Sequence, residues 1–122
     1  MIAYFCIVIS LFIPLACTFY AKLSKKGYSN SKPREFLEGL DGKAKRAHYA
    51  QNNFYETFPA FAVGVVAAHQ LNADPTSIDK LAVTYVVMRI LYVFFYISDK
   101  STLRSTVWFI AFIAILGLYF VK

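Results

Sequence analysis

Ala44-Lys45-Arg46-Ala47-His48-Tyr49-Ala50-Gln51-Asn52-Asn53-Phe54-Tyr55-Glu56-Thr57-Phe58-Pro59-Ala60-Phe61 opens a stretch, residues 44–71, that reads as one long helix. Its first half carries Arg46, Tyr49, Asn53 and Glu56, spaced 3, 4 and 3 apart. At about 100° per residue these four fall within an arc of roughly 80° and share one face. The second half of the stretch is apolar. A carboxylate at mid-bilayer costs on the order of 2.5–3.5 kcal/mol. The stripe is therefore expected to face protein, water or a polar ligand rather than lipid.

The rest of the chain explains why a bilayer enters the argument. Of 122 residues, 58% are hydrophobic and 18% aromatic, too apolar for a soluble domain of this length. The apolar residues come in blocks of about 20, the length that crosses a hydrocarbon core of roughly 30 Å. Four such blocks are readable: 2–21, 50–71 within the long helix, 81–98 and 104–121. Closed barrels need short alternating strands, and none is present. The expected fold is a single domain over 1–122, an all-α membrane protein built as a four-helix transmembrane bundle. The first block has no basic residue ahead of it and no small-residue cleavage pattern, so it reads as a retained span, kinked at Pro14.

Charge placement orients the bundle. Lys22, Lys25, Lys26, Lys32, Arg34, Lys43, Lys45 and Arg46 lie between the first two blocks, and Lys100 and Arg104 between the last two. The positive-inside rule puts both basic loops in the cytoplasm and both termini outside. The net charge of +6 abuts membrane segments and is accompanied by no nucleic-acid recognition motif. Anionic headgroups are the better partner for it, so membrane lipids are expected and nucleic acid is not. Cys6 and Cys17 sit about 16 Å apart on one helix, too far to bond within the chain. No CxxC, HExxH or phosphate loop appears, and His48 and His69 are too far apart for a metal pair.

Between the blocks, residues 22–43 form the one sizeable loop, with Glu35-Phe36-Leu37-Glu38 as a short interfacial turn and Asp41 as N-cap of the long helix. Asn72-Ala73-Asp74-Pro75-Thr76-Ser77 is a turn. The third block carries Tyr85, Arg89, Tyr92 and Tyr96 on one face. Counting from the cytoplasmic side puts Glu56 and Arg89 both roughly 15 Å deep, so an intramembrane ion pair between them is expected. That pair serves equally as a structural tie without chemistry. Tyr96 also suits an aromatic belt, and Arg104 a snorkelling anchor.

The string from Arg46 to Phe61 resembles the second-helix signature of the MAPEG family, the membrane-associated proteins in eicosanoid and glutathione metabolism. Its Asn-x-x-Glu-x-x-Pro core stands here as Asn53, Glu56 and Pro59. Arg89, Tyr92 and Tyr96 match the family's Arg-x-x-Tyr-x-x-x-Tyr pattern. Leu103-Arg104-Ser105 and Trp108 resemble the start of its fourth helix in the bacterial branch. The resemblance spans nearly the whole chain, with three motifs in order on the expected helices.

The resemblance implies a homotrimer of four-helix protomers binding glutathione at subunit interfaces towards the cytoplasmic side. Arg104 would stabilise the glutathione thiolate. Arg46, Asn53, Glu56, Arg89, Tyr92 and Tyr96 would hold the tripeptide, with a lipophilic electrophile or lipid hydroperoxide as the second substrate. The chemistry agrees: a nearby cation lowers a thiol's pKa from near 8.5, and arginines suit carboxylates. The implied activity is that of a membrane glutathione transferase or peroxidase, in a bacterial inner membrane. One position departs from the pattern. Tyr49 stands where glutathione-binding members of the mammalian type carry an Arg, and Arg46 is one turn earlier. A non-catalytic member binding a lipid or another small ligand is the alternative. A transporter is disfavoured because no pair of discontinuous helices appears.

Overall fold

The computed structural model describes residues 1–122, folded into five helices. They are α1 (Ile2–Leu23), α2 (Pro33–Glu38), α3 (Gly42–Gln70), α4 (Pro75–Ile97) and α5 (Ser101–Phe120). No strand is present. α1, α4 and α5 are each long and apolar enough to cross a membrane. α3 is the longest helix at 29 residues. It falls short on composition alone, because its first half carries the polar stripe.

The short connections dictate antiparallel neighbours. α3 ends with Asn72 at φ +56°, where Asn72 N–H donates to His69 O and Ala73 N–H to Ala68 O. α4 ends alike, with Asp99 at φ +59° and Lys100 N–H donating to Phe95 O. Asn and Asp tolerate this left-handed backbone, and the paired bonds satisfy the last helical carbonyls. α4 begins six residues before its apolar block at 81, because Asp74 caps it and Pro75 occupies its first turn. The expected turn 72–77 is thus half turn and half helix. Asp41 does occupy the N-cap of α3, but its side chain makes no capping bond; its carbonyl accepts from Lys45 N–H at 3.1 Å. Gly42 beside it takes φ +54°, the joint between α2 and α3.

α4 packs on α5, α1 and α3, and α3 also packs on α1 and α5. Small residues line these contacts, as close helix packing requires. Gly64 of α3 lies so near α5 that a Cβ there would meet Tyr119 Cε2 at 3.0 Å and Leu118 Cβ at 3.2 Å. The largest core cluster, around Phe61, Val65, Tyr85 and Ile115, fills the half nearer the chain termini. Both termini lie against the start of α4: Ala3 N–H donates to Asp79 Oδ1 at 2.8 Å, and Asp74 N–H to Lys122 O at 3.2 Å. At the opposite end Leu37 and Leu40 seat α2 on Ala21, Ala44 and Ala47. Between them Cys17, Ala50, Tyr92 and Val107 form a smaller core beneath the polar stripes. Both cysteines are free and buried. Large apolar side chains stand outward; Phe12, for one, is 63% exposed.

Candidate functional site

The register of α3 against α4 decides which polar groups meet. Arg46 Nε donates to the carbonyl of Ile97 at 3.1 Å, closing the C-terminal end of α4. Seven residues further along α3, Asn53 faces Arg89. Both terminal nitrogens of Arg89 donate to Asn53 Oδ1, each at 3.1 Å. The Asn53 amide nitrogen in turn donates to Glu56 Oε2 at 2.9 Å. The expected ion pair between Glu56 and Arg89 is therefore not formed: no carboxylate lies within 4.0 Å of the guanidinium. Glu56 is one helical turn off level, and Asn53 relays between them.

Arg89 is 1% exposed, and its Nε has no partner. Its guanidinium carbon lies 4.4 Å from the Tyr92 ring centroid and 5.6 Å from that of Phe54. Tyr92 meets Tyr96 edge to face at 5.6 Å. Arg104, one turn into α5, lies 4.4 Å over the Tyr96 ring. The spacing 89, 92, 96 puts the three α4 residues on one face, and the short turn at 98–100 brings α5 alongside. The result is a ladder, Arg89–Tyr92–Tyr96–Arg104, with a cation at each end. Cation–aromatic stacking of this kind holds a guanidinium in place while leaving its N–H groups free.

Above the ladder lies a cleft of about 320 Å³ lined by Asn53, Tyr92, Tyr96, Arg104, Ser105, Trp108 and Phe109. That volume is at the small end of ligand pockets. Neither Arg104 nor Arg89 has a carboxylate within 4.0 Å, and Glu56 reaches the site only through Asn53, so the cleft carries excess positive charge beside apolar walls. Such a site attracts an anion. Trp108 is braced by stacking on Phe112 at 5.3 Å and 6° between planes.

A comparison of the whole chain finds that the MAPEG family model matches residues 1–121. The chain belongs to the MAPEG family. No match was found among curated proteins or among solved structures.

Within this MAPEG protein the structure gathers four of the seven sequence-predicted site residues, Asn53, Tyr92, Tyr96 and Arg104, around one cleft. Arg89 lies beneath it and reaches it through Asn53 and Tyr92. Arg46 and Glu56 are not part of the lining. Arg46 is half-buried and bonded to Ile97, whereas Glu56 is exposed on the outer face of α3 beside the cleft's Asn53. Tyr49 is exposed as well, with the Lys45 ammonium 5.3 Å from its ring centroid. Sequence reasoning did not assign Ser105, Trp108 and Phe109 to the site. Their signal is helical spacing: 104 and 108, and 105 and 109, lie one turn apart on α5.

Proposed function

We propose that the cleft binds glutathione and activates its thiol for reaction with a lipophilic second substrate. One observation carries this reading: Arg104, without a carboxylate partner, is held over Tyr96 at the cleft's wall. A free thiol is only a few per cent ionised at neutral pH. A fixed guanidinium beside the sulfur favours the thiolate, and its proton leaves to water. The thiolate then forms a carbon–sulfur bond to an electrophile, expelling a leaving group or adding to an activated double bond whose carbanion takes up a proton. With a lipid hydroperoxide, two glutathione molecules become the disulfide and the peroxide becomes an alcohol and water. Asn53, Arg89, Tyr92 and Tyr96 orient the tripeptide in this reading. Arg46 and Glu56 complete the site from the flanking surface of α3.

The same reading makes α3 the fourth membrane crossing, with the basic loops in the cytoplasm and both termini outside, in a bacterial inner membrane. It also makes the protein a homotrimer. The outward polar edge formed by Tyr49, Asn53 and Glu56 supports this, because a second copy would cover it rather than lipid. Family membership includes both catalytic and non-catalytic proteins. A non-catalytic protein binding a lipid or other small ligand is the second reading, favoured by Tyr49 in the family's Arg position and by the engagement of Arg46 with Ile97.

Ultraviolet difference absorbance during glutathione titration separates the two. The wild-type protein in detergent is expected to show a saturable thiolate band. Arg104→Ala should lose the band and about 10²–10³-fold of any turnover, as for removal of one preorganised stabilising donor, while retaining its helical circular dichroism. Full activity in Arg104→Ala would sink the assignment. Absence of a band in the folded wild type would favour the second reading.

A further inference from the structure

A second concavity lies away from the cleft, where the chain leaves α1. Gly27 takes φ +96° and turns the backbone back toward α2. The loop beyond it is internally tied. Ser29 Oγ lies 2.7 Å from Ser31 Oγ and accepts from Ser31 N–H at 3.3 Å, and Lys32 N–H donates to Ser29 O at 3.4 Å. The Tyr28 ring is held between the Lys22 ammonium, 4.6 Å from its centroid, and the edge of Phe36 at 5.3 Å. α2 is itself anchored through Leu37. Loop and helix together border an open, shallow concavity of about 390 Å³ lined by Lys25, Lys26, Lys32, Ser29, Ser31 and Phe36, among others. Its only acid is Glu35, which pairs with Lys32 at 3.3 Å. Lys25 and Lys26 have no carboxylate within 4.0 Å.

We propose that this concavity is a binding site for the phosphate of an anionic phospholipid headgroup. Two unpaired ammonium groups supply compact positive charge, which suits phosphate without demanding a bidentate fit. The Ser29–Ser31 hydroxyl pair, with one O–H used between the two, leaves one O–H to donate. The site begins two residues after the membrane-crossing α1 ends at Leu23, at the depth where headgroups lie. Phe36 offers an apolar surface to the carbons next to the phosphate. The basic end of the molecule also faces the more negative leaflet in the proposed orientation. Free inorganic phosphate shares the chemistry of the headgroup but has no acyl chains to hold it at the bilayer edge.

The test is native mass spectrometry of the full chain in detergent containing equal phosphatidylglycerol and phosphatidylcholine. Wild type is expected to retain phosphatidylglycerol preferentially. The exposed triple variant Lys25→Gln, Lys26→Gln, Lys32→Gln should lower that retention about tenfold. A control variant removing equal charge elsewhere, Lys43→Gln, Lys100→Gln, Lys122→Gln, should leave it unchanged. Addition of 10 mM inorganic phosphate should not displace the lipid. Equal losses in both triple variants would overturn the site in favour of diffuse charge attraction. Displacement by phosphate would overturn the lipid as occupant and leave a soluble phosphate ligand. Unchanged retention in the first triple variant would overturn the proposal altogether.

Discussion

Asn53 shows what a single side chain contributes when a charge is placed in an apolar interior. Its carbonyl oxygen takes two N–H bonds from Arg89, and its amide passes the interaction on to Glu56. Asn53→Leu removes the only hydrogen-bond acceptor that the guanidinium has. Such an uncompensated buried charge costs about 3–5 kcal/mol. Thermal unfolding in detergent should show that loss, and the double variant Asn53→Leu, Arg89→Leu should recover most of it, because removing both partners leaves no stranded charge. A double variant no more stable than Asn53→Leu alone would show that Arg89 is supported by other groups. Helical spacing was enough to read Arg89 as an interior polar group with Asn53 beside it, whereas Glu56, on the same stripe of α3, stands exposed on its outer face. Spacing did not reveal which pair meets, because depth counted from estimated helix ends carries an error of about one turn, and one turn separates Asn53 from Glu56.

At the level of the element, the start of α4 is fixed by a few atoms. The Asp74 carboxylate accepts from Ser77 N–H at 2.8 Å and from Ser77 Oγ at 2.7 Å. The Ser77 side-chain bond, followed by its backbone N–H, holds the Asp74 pKa below the ordinary carboxylate value. Because the folded value is depressed, the cap stabilises the helix above the unfolded pKa. That stability is lost as pH falls through the folded pKa. Melting curves of wild type should therefore decline on acidification through the carboxylate range more steeply than those of Asp74→Asn, which caps without titrating. Parallel declines would assign the acid sensitivity to another group. The apolar block from 81 reveals that a membrane helix exists here, but not its first six residues. Those are set by the Asp74-Pro75 capping pattern, which also reads as a turn. α3 presents the reverse case: its length was legible in the sequence and its bounds agree closely, yet its polar stripe lowers the hydropathy on which recognition of a span depends.

Across the whole molecule, polarity is sorted by end and by face. The lysine-rich loop and α2 lie at one end, and both chain termini lie at the other. Large apolar side chains cover much of the outer surface, and one polar edge on α3 interrupts them. The proposed trimer, which family resemblance implies and whose subunit contact would cover that edge, predicts a native mass three times the 13.9 kDa chain in mild detergent. Glu56→Lys would replace the carboxylate that Asn53 holds with a positive charge on the outer edge of α3 and put three like charges around a trimer, and should shift the mass towards monomer. A wild-type mass of one chain would remove the subunit interface from the functional reading. The membrane class and the family were legible from apolar block lengths and three ordered motifs. The walls of the cleft were not, because Ser105, Trp108 and Phe109 enter it only once α5 folds back against α4.

The placement of both chain ends against the first turns of α4 has a practical corollary. Lys122 of one copy and Met1 of the next lie on the same side of the molecule, remote from the cleft. Copies can therefore be strung together as a tandem gene product through flexible linkers that never thread the bilayer. In such a three-copy polypeptide Arg104 can be deleted from one, two or all repeats in turn. Under the proposed function, the thiolate signal that remains would count the working centres directly.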